Sequence, residues 1–279
     1  MHNVKNYILV LVILFAYSSC SKEDLEAEIP SYISIEKFTL TTNNTTEGTN
    51  SHNITDAWVY VDNDLVGVFE LPAKFPVLKE GNVKLDVYPG IKENGISERR
   101  ARYLFYEAYS QQVTLEKNKT LVVTPTTKYT SGTTFYWMED FESASLPFSY
   151  HSLSDTIVYK TSTDVFEGVY SAKISLIPGM DFFECYTPAF STLPRNGRTI
   201  FMELNFKCNQ PVLVGLYADS DQIGIFYLNT TDTWKKIYLN FTEPIITRPN
   251  ASEYKIFFGF QSKVDYPEFV IDNLKIVHL

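Results

Sequence analysis

The chain has 279 residues, and its 33 acidic against 24 basic side chains leave a net charge of −9. So acidic a surface repels polyanions, which excludes nucleic acid as a partner. With 19 Tyr and 20 Phe against 4 Met, the composition suits pleated sheets more than helices, so the expected class is all-β, with length enough for two cores.

The first 16 residues hold one basic side chain, Lys5, followed by the apolar run Tyr7 to Ala16, and Ser18-Ser19 comes next. The run is too short to cross roughly 30 Å of hydrocarbon as a helix, and its three parts are those of a secretory signal peptide, residues 1–19. With Cys20 directly after the two serines, the segment resembles a bacterial lipoprotein signal, although Tyr17 stands where such signals usually carry Leu. Ser21-Lys22-Glu23-Asp24 resembles the export tag of Bacteroidetes lipoproteins shown on the cell surface. Those resemblances imply lipidation at Cys20, a membrane contact through that lipid, and an outer-membrane protein facing the exterior. Residues 20–30 then form the lipidated tether.

Residues 31–127 read as a small Ig-like antiparallel β-sandwich. Ile33, Ile35, Phe38 and Leu40 alternate with a one-residue phase slip that predicts a bulge. The polar stretch Thr42 to Asn53 predicts a loop, and Ala57 to Val61 with Leu65 to Phe69 predicts a hairpin turning at Asp62-Asn63-Asp64. More strands are expected at 83–88, 103–109, 113–115 and 120–124. Residues 59–72, followed by Leu78-Lys79-Glu80-Gly81, resemble compact β modules of secreted bacterial proteins, which implies a spacer or docking domain. The glycine-punctuated stretch Pro89 to Arg100 reads as a solvated connection. Thr126 to Thr134 has no apolar periodicity and nothing to bury, so residues 128–134 are the expected linker.

From residue 135 to 279, short alternating runs such as 200–206, 212–217, 224–228, 236–241 and 255–260 predict a second sandwich. Four stretches in order, Asp140-Phe141-Glu142, Gly168 to Ser171, Trp234-Lys235 and Ile271-Asp272-Asn273, resemble jelly-roll carbohydrate-binding modules of the galactose-binding-like type. The resemblance implies a jelly roll that captures polysaccharide or oligosaccharide without cutting it. The second reading is a structural or docking lipoprotein that binds another outer-membrane protein and no sugar.

First and last strands of such a sandwich lie side by side, which would gather Glu139, Asp140, Glu142 and Asp272; hard oxygen ligands at one point favour Ca²⁺. The family likeness implies Glu142 and Asp272 as side-chain ligands of a structural Ca²⁺, Asp140 beside them, and Gly168 and Tyr170 as carbonyl donors. The alternative is that these acids only solvate strand ends. Sugars stack on aromatic rings while polar groups fix their hydroxyls. The ligand candidates are therefore Tyr150-His151, Tyr217 with Asp219, Tyr227 and Gln261, whereas Trp234 reads as core. Cys185 and Cys208 are either a disulfide or two buried thiols. No Gly-x-Ser-x-Gly, His-Glu-x-x-His or phosphate loop is present, and the four histidines are scattered, so no enzyme is expected.

Overall fold

The structure, a computed structural model, describes residues 28–279. The expected signal peptide, Cys20 and most of the tether lie outside the described residues. The fold is nearly all β, and no described helix is long and apolar enough to cross a membrane.

Ten strands come first: β1 (Ser31–Ile35), β2 (Thr39–Thr41), β3 (Asp56–Val61), β4 (Asp64–Glu70), β5 (Ala73–Val77), β6 (Gly81–Lys92), β7 (Arg100–Arg102), β8 (Tyr109–Leu115), β9 (Thr120–Val123) and β10 (Thr126–Lys128). They form a β5-β1-β9 sheet, a β2-β10 pair, and a β4-β3-β6 sheet whose long strand β6 carries β8 on its first half and β7 on its second. The β3–β4 hairpin turns where expected, with Asp62 and Asn63 at φ of +51° and +71°, the left-handed pair that a tight hairpin needs. The phase slip after Ile35 is not a bulge. The chain leaves one sheet there and joins another, so that Ile33, Ile35, Phe38 and Leu40 are all buried.

Eleven strands follow: β11 (Thr134–Glu139), β12 (Ser149–Tyr150), β13 (Tyr159–Thr161), β14 (Ser171–Ser175), β15 (Phe182–Tyr186), β16 (Ile200–Cys208), β17 (Val212–Ala218), β18 (Asp221–Leu228), β19 (Thr231–Asn240), β20 (Tyr254–Gln261) and β21 (Glu268–His278). One sheet runs β13-β14-β21-β16-β19 with β11 also on β21; the other runs β12-β15-β20-β17-β18. Phe141, Ile174, Phe183, Leu204, Val214, Phe258 and Ile271 fill the space between the two sheets. Each such side chain contributes about 1.5–3 kcal/mol through burial. Cys185 and Cys208 sit in this core as free thiols. They lie on opposite sheets, and Cys208 Sγ turns to the Asn229 carbonyl at 3.5 Å.

The two groups of strands meet over a buried seam. Phe201, Tyr238 and Val277 of the later strands belong to the core of the earlier ones. At its centre Glu203, fully buried, accepts from Tyr103 (2.7 Å) and Tyr129 (2.9 Å) and pairs with Lys236 at 3.1 Å. Lys275 lies beside them, bonded to the Thr49 carbonyl at 3.1 Å. Burial alone would raise the Glu203 carboxyl, but Lys236 and Lys275 hold it below its ordinary value. Lys275 is pushed down to about 8 by burial and by Lys236.

Two sequence expectations change here, and the expected loop 42–53 gains contacts. Tyr129, inside the expected 128–134 linker, is buried in the seam. The loop 42–53 is docked rather than free: it holds a helical turn, Asn44–Glu47, and Asn53 donates to Tyr238 Oη (2.9 Å) and to the Lys236 carbonyl (3.0 Å). The 89–100 stretch docks as well, with Asn94 Oδ1 accepting from the Asn240 amide at 2.7 Å and Gly95, at φ +70°, close against Ile237.

Candidate functional site

Period-two alternation gives the β12-β15-β20-β17-β18 sheet one face toward the core and one face outward. Phe183, Cys185, Val214, Leu216, Ile256 and Phe258 point into the core. The alternate positions Phe182, Glu184, Tyr186, Leu213, Tyr217, Phe257 and Gln261 stand on the outer face, where Glu184, Gly259, Leu213 and Tyr227 are paired in one row across four strands. Three glycines, Gly215, Gly224 and Gly259, remove side chains from this face. Gly215 has a structural reason: a methyl there would strike the Phe257 ring, which lies across it.

The result is a groove of about 370 Å³ lined by Phe182, Glu184, Gln210, Leu213, Tyr227 and Gln261, with Phe257 and Gly259 in its floor. That size suits a small ligand site. Tyr227 is 65% exposed, whereas Glu184 is 5% exposed. Glu184 accepts from Tyr217 Oη and from Gln222 Nε2, each at 2.6 Å, and no cation pairs with it among the described residues. Burial and the neighbouring carboxylate push the Tyr217 phenol up, so Tyr217 stays a donor. Tyr217 in turn touches Tyr186 (5.8 Å) and Phe257 (5.4 Å) edge-on. At the closed end Gln210 is buried, its Oε1 accepting from the Lys263 amide at 3.0 Å while its Nε2 has no partner. Chemically, the groove offers aromatic surface, the Glu184 carboxylate, the Lys263 ammonium and several amides. It holds no second carboxylate.

The structure brings Tyr217, Tyr227 and Gln261 together on this face and leaves the other ligand candidates elsewhere. Tyr150 points into the core, and its hydroxyl accepts from the Val158 amide at 3.2 Å. His151 rests edge-on against Phe182 at 5.5 Å, and its Nδ1 accepts from the Leu153 amide. Asp219 staples a turn, taking the Ser252 amide at 2.9 Å and the Glu253 amide at 3.2 Å, which together with the Ser252 hydroxyl lower its carboxyl. Trp234 is not core: half-buried on the outside of the other sheet, it meets Phe166 at 5.6 Å and Lys207 at 5.8 Å. Glu184, Gln222, Gln210 and Phe257 were missed. Glu184, Phe257 and Gln261 occupy alternate positions of their strands, a pattern that the sequence does show.

β11 and β21 are neighbours, and Glu142 and Asp272 both hold the loop 166–171. Glu142 Oε1 accepts from the Val169 (2.8 Å) and Tyr170 (2.9 Å) amides. Asp272 accepts from Ser171 Oγ (2.6 Å), the Glu167 amide (3.2 Å) and the Asn273 amide (2.8 Å). Burial nevertheless pushes Asp272 up to about 6. Gly168 leaves room for the Glu142 carboxylate, which a Cβ there would strike, and its φ is +74°. Asp140 caps its own turn through the Glu142 amide at 3.1 Å.

The two acids are met here by protein donors, and Glu139, Asp140, Glu142 and Glu167 line one pocket beside Gly168. The loop presents N–H and O–H donors, not carbonyls, to the two acids, and no group of three acid, His or Cys side chains able to hold a metal occurs among the described residues. In this clasp Gly168 supplies the space and Tyr170 an amide for the Glu142 carboxylate.

Neither a protein-family model nor a curated protein matches the chain. Among solved structures it is similar to the C-terminal family 22 carbohydrate-binding module of Clostridium thermocellum Xyn10B, at 14% identity and a TM-score of 0.38, covering 52% of this chain and 94% of the module. It is similar to the family 11 carbohydrate-binding module of the Clostridium thermocellum cellulase Lic26A-Cel5E, at 14% identity and a TM-score of 0.37, over 53% of this chain and 95% of that one. The enzymatically active domain of bacteriophage CBA120 tailspike protein 4 is similar at 17% identity and a TM-score of 0.38, over 48% of this chain but only 19% of its own length. Carbohydrate-binding modules with a β-sandwich fold are thus among the structural neighbours; scores of this size assign no function.

Proposed function

We propose that the chain captures glycan, without cutting it, in the groove on the outer face of β12-β15-β20-β17-β18, as a lipoprotein anchored through Cys20 to the outer membrane and facing the exterior. The observation that carries the reading is Glu184. A carboxylate buried at the floor of a groove costs free energy unless its lone pairs are met. Here the two donors that meet them, Tyr217 and Gln222, are neutral, and Glu184 lines a groove that Lys263 also lines. Sugar hydroxyls are the donors that such a carboxylate can take, and Tyr227 and Phe182 offer the aromatic surface for a sugar's apolar face. Glycoside hydrolysis needs a pair of carboxyl groups, and the groove has one, which supports capture over cleavage.

The test is retention of the full chain, held in mild detergent, in gels cast with plant, algal and host polysaccharides. Retardation by one polymer, weakened in Glu184→Gln and Tyr227→Ala, is the expected result. A folded wild-type protein that runs unretarded through the whole panel would move the assignment to docking of another outer-membrane protein.

A further inference from the structure

One end of the groove carries donors that the fold leaves unanswered. Gln210 is 2% exposed and lines the groove. Its Oε1 accepts from the Lys263 amide at 3.0 Å, and that N–H fixes which end of the side chain is the oxygen. The Nε2 donor is left without a partner. Buried donors are rarely left so, and an unmet one marks a place where an acceptor belongs. The Lys263 side chain lines the same groove, exposed and without an ion pair among the described residues. The bond from its amide ties it to Gln210, so a neutral donor and a cation share one end.

The carboxylate stands away from that end. Glu184 pairs across the sheet with Gly259, and Phe182 with Gln261. Positions two apart on a strand lie about 7 Å apart on one face, so the Gln261 row separates Glu184 from Lys263. Leu213 and Tyr227 continue the Glu184 row as apolar surface. The groove thus has a direction, with an acceptor and an aromatic ring in one row and a charged and a neutral donor at its end.

We infer that the groove takes a glycan bearing a uronic acid, whose carboxylate meets Gln210 Nε2 and the Lys263 ammonium while a sugar hydroxyl donates to Glu184. Charge-assisted hydrogen bonds are about twice as strong as neutral ones, which favours a carboxylate over a neutral acetyl carbonyl at that end. Among the described residues Lys263 is the one cation lining the groove, and the chain's net charge of −9 repels polyanions. The fit is therefore to a uronic acid isolated on an otherwise neutral polymer, not to a polyuronate. This rests on the glycan reading of the groove.

The experiment titrates the full chain in detergent with glucuronoxylan and a glucuronate-bearing arabinogalactan, each as isolated and after reduction of its carboxyl groups to alcohols. Alginate, neutral β-glucan and neutral galactan complete the panel. Wild type should bind one of the native acidic polymers about tenfold more tightly than its reduced form, and alginate more weakly than that polymer. Lys263→Met should erase the preference with the Kd of the reduced form unchanged, and Lys263→Arg should keep it. Gln210→Glu, which sets a like charge against the carboxylate, should reverse it. Lys263 is exposed, so its variants give the answer even where a buried Glu at position 210 impairs folding. Equal binding of native and reduced polymer, a preference that survives Lys263→Met, tighter binding of alginate, or binding of the neutral polymers alone would overturn the uronic-acid assignment and leave glycan capture standing. A folded wild type that binds none of the panel would remove the glycan reading and this inference with it.

Discussion

Two glutamates among the described residues are nearly or wholly buried, and they differ in what answers their charge. Glu203 lies in the seam between the sandwiches with Lys236 at 3.1 Å, Lys275 close by, and hydroxyls of Tyr103 and Tyr129 on its oxygens. Glu184 accepts from Tyr217 and Gln222, both neutral, and lines a groove in which Lys263 makes no ion pair with it. A buried carboxylate answered by a cation and by hydroxyls is a fastening. One matched only by neutral donors, with room in front, is a place for something to bind.

Removing each charge should separate the two roles. Glu203→Ala leaves two lysines buried without their counter-charge and should cost about 3–5 kcal/mol in urea unfolding. A loss below about 1 kcal/mol would show that water reaches the seam. Glu184→Gln should leave unfolding nearly unchanged and weaken glycan binding about tenfold; a large unfolding effect with unaltered binding would make Glu184 a second fastening.

The seam also predicts a pH dependence. The folded value of Lys275, about 8, lies below its ordinary 10.5, so between these values the unfolded chain holds the proton that the folded chain has lost. The Lys275 contribution to stability therefore rises as pH goes from about 8 toward 10. Thermal unfolding of wild type compared with Lys275→Met across that window should show the rise only in wild type.

Asp219→Ala should cost about 1 kcal/mol through its lost turn bonds and leave glycan binding as it was, since the residue faces the 252–253 amides and not the groove. The smallest effect belongs to metal. If the Glu142–Asp272 clasp works by hydrogen bonds alone, chelator or added Ca²⁺ should move the Tm by less than about 1 °C, whereas binding at 100 times Kd would add about 2.7 kcal/mol.

Much of this was legible in the residues, and the failures share a cause. Ala57 to Val61 with Asp62-Asn63 announced a hairpin, because alternation and left-handed turn residues are local signals. The acids flanking Phe141 and Ile271 announced that the first and last strands meet. Their partners did not show, since amide or carbonyl is decided by loop backbone and not by residue type. Tyr150 and Tyr217 look alike in sequence, each in a short strand beside a polar residue. One faces the core and the other the groove because their strands enter the sheet on opposite phase.

The sequence by itself settled the all-β class, the turns and which residues of a strand share a face, because each depends on neighbours within a few positions. The tertiary structure alone decided which face meets the opposite sheet, which meets the other sandwich and which is left open. Tyr129, Asn94 and Glu203 have their roles from partners 74 to 146 residues away. Such contacts depend on how two finished sheets pack together, and no local pattern records that.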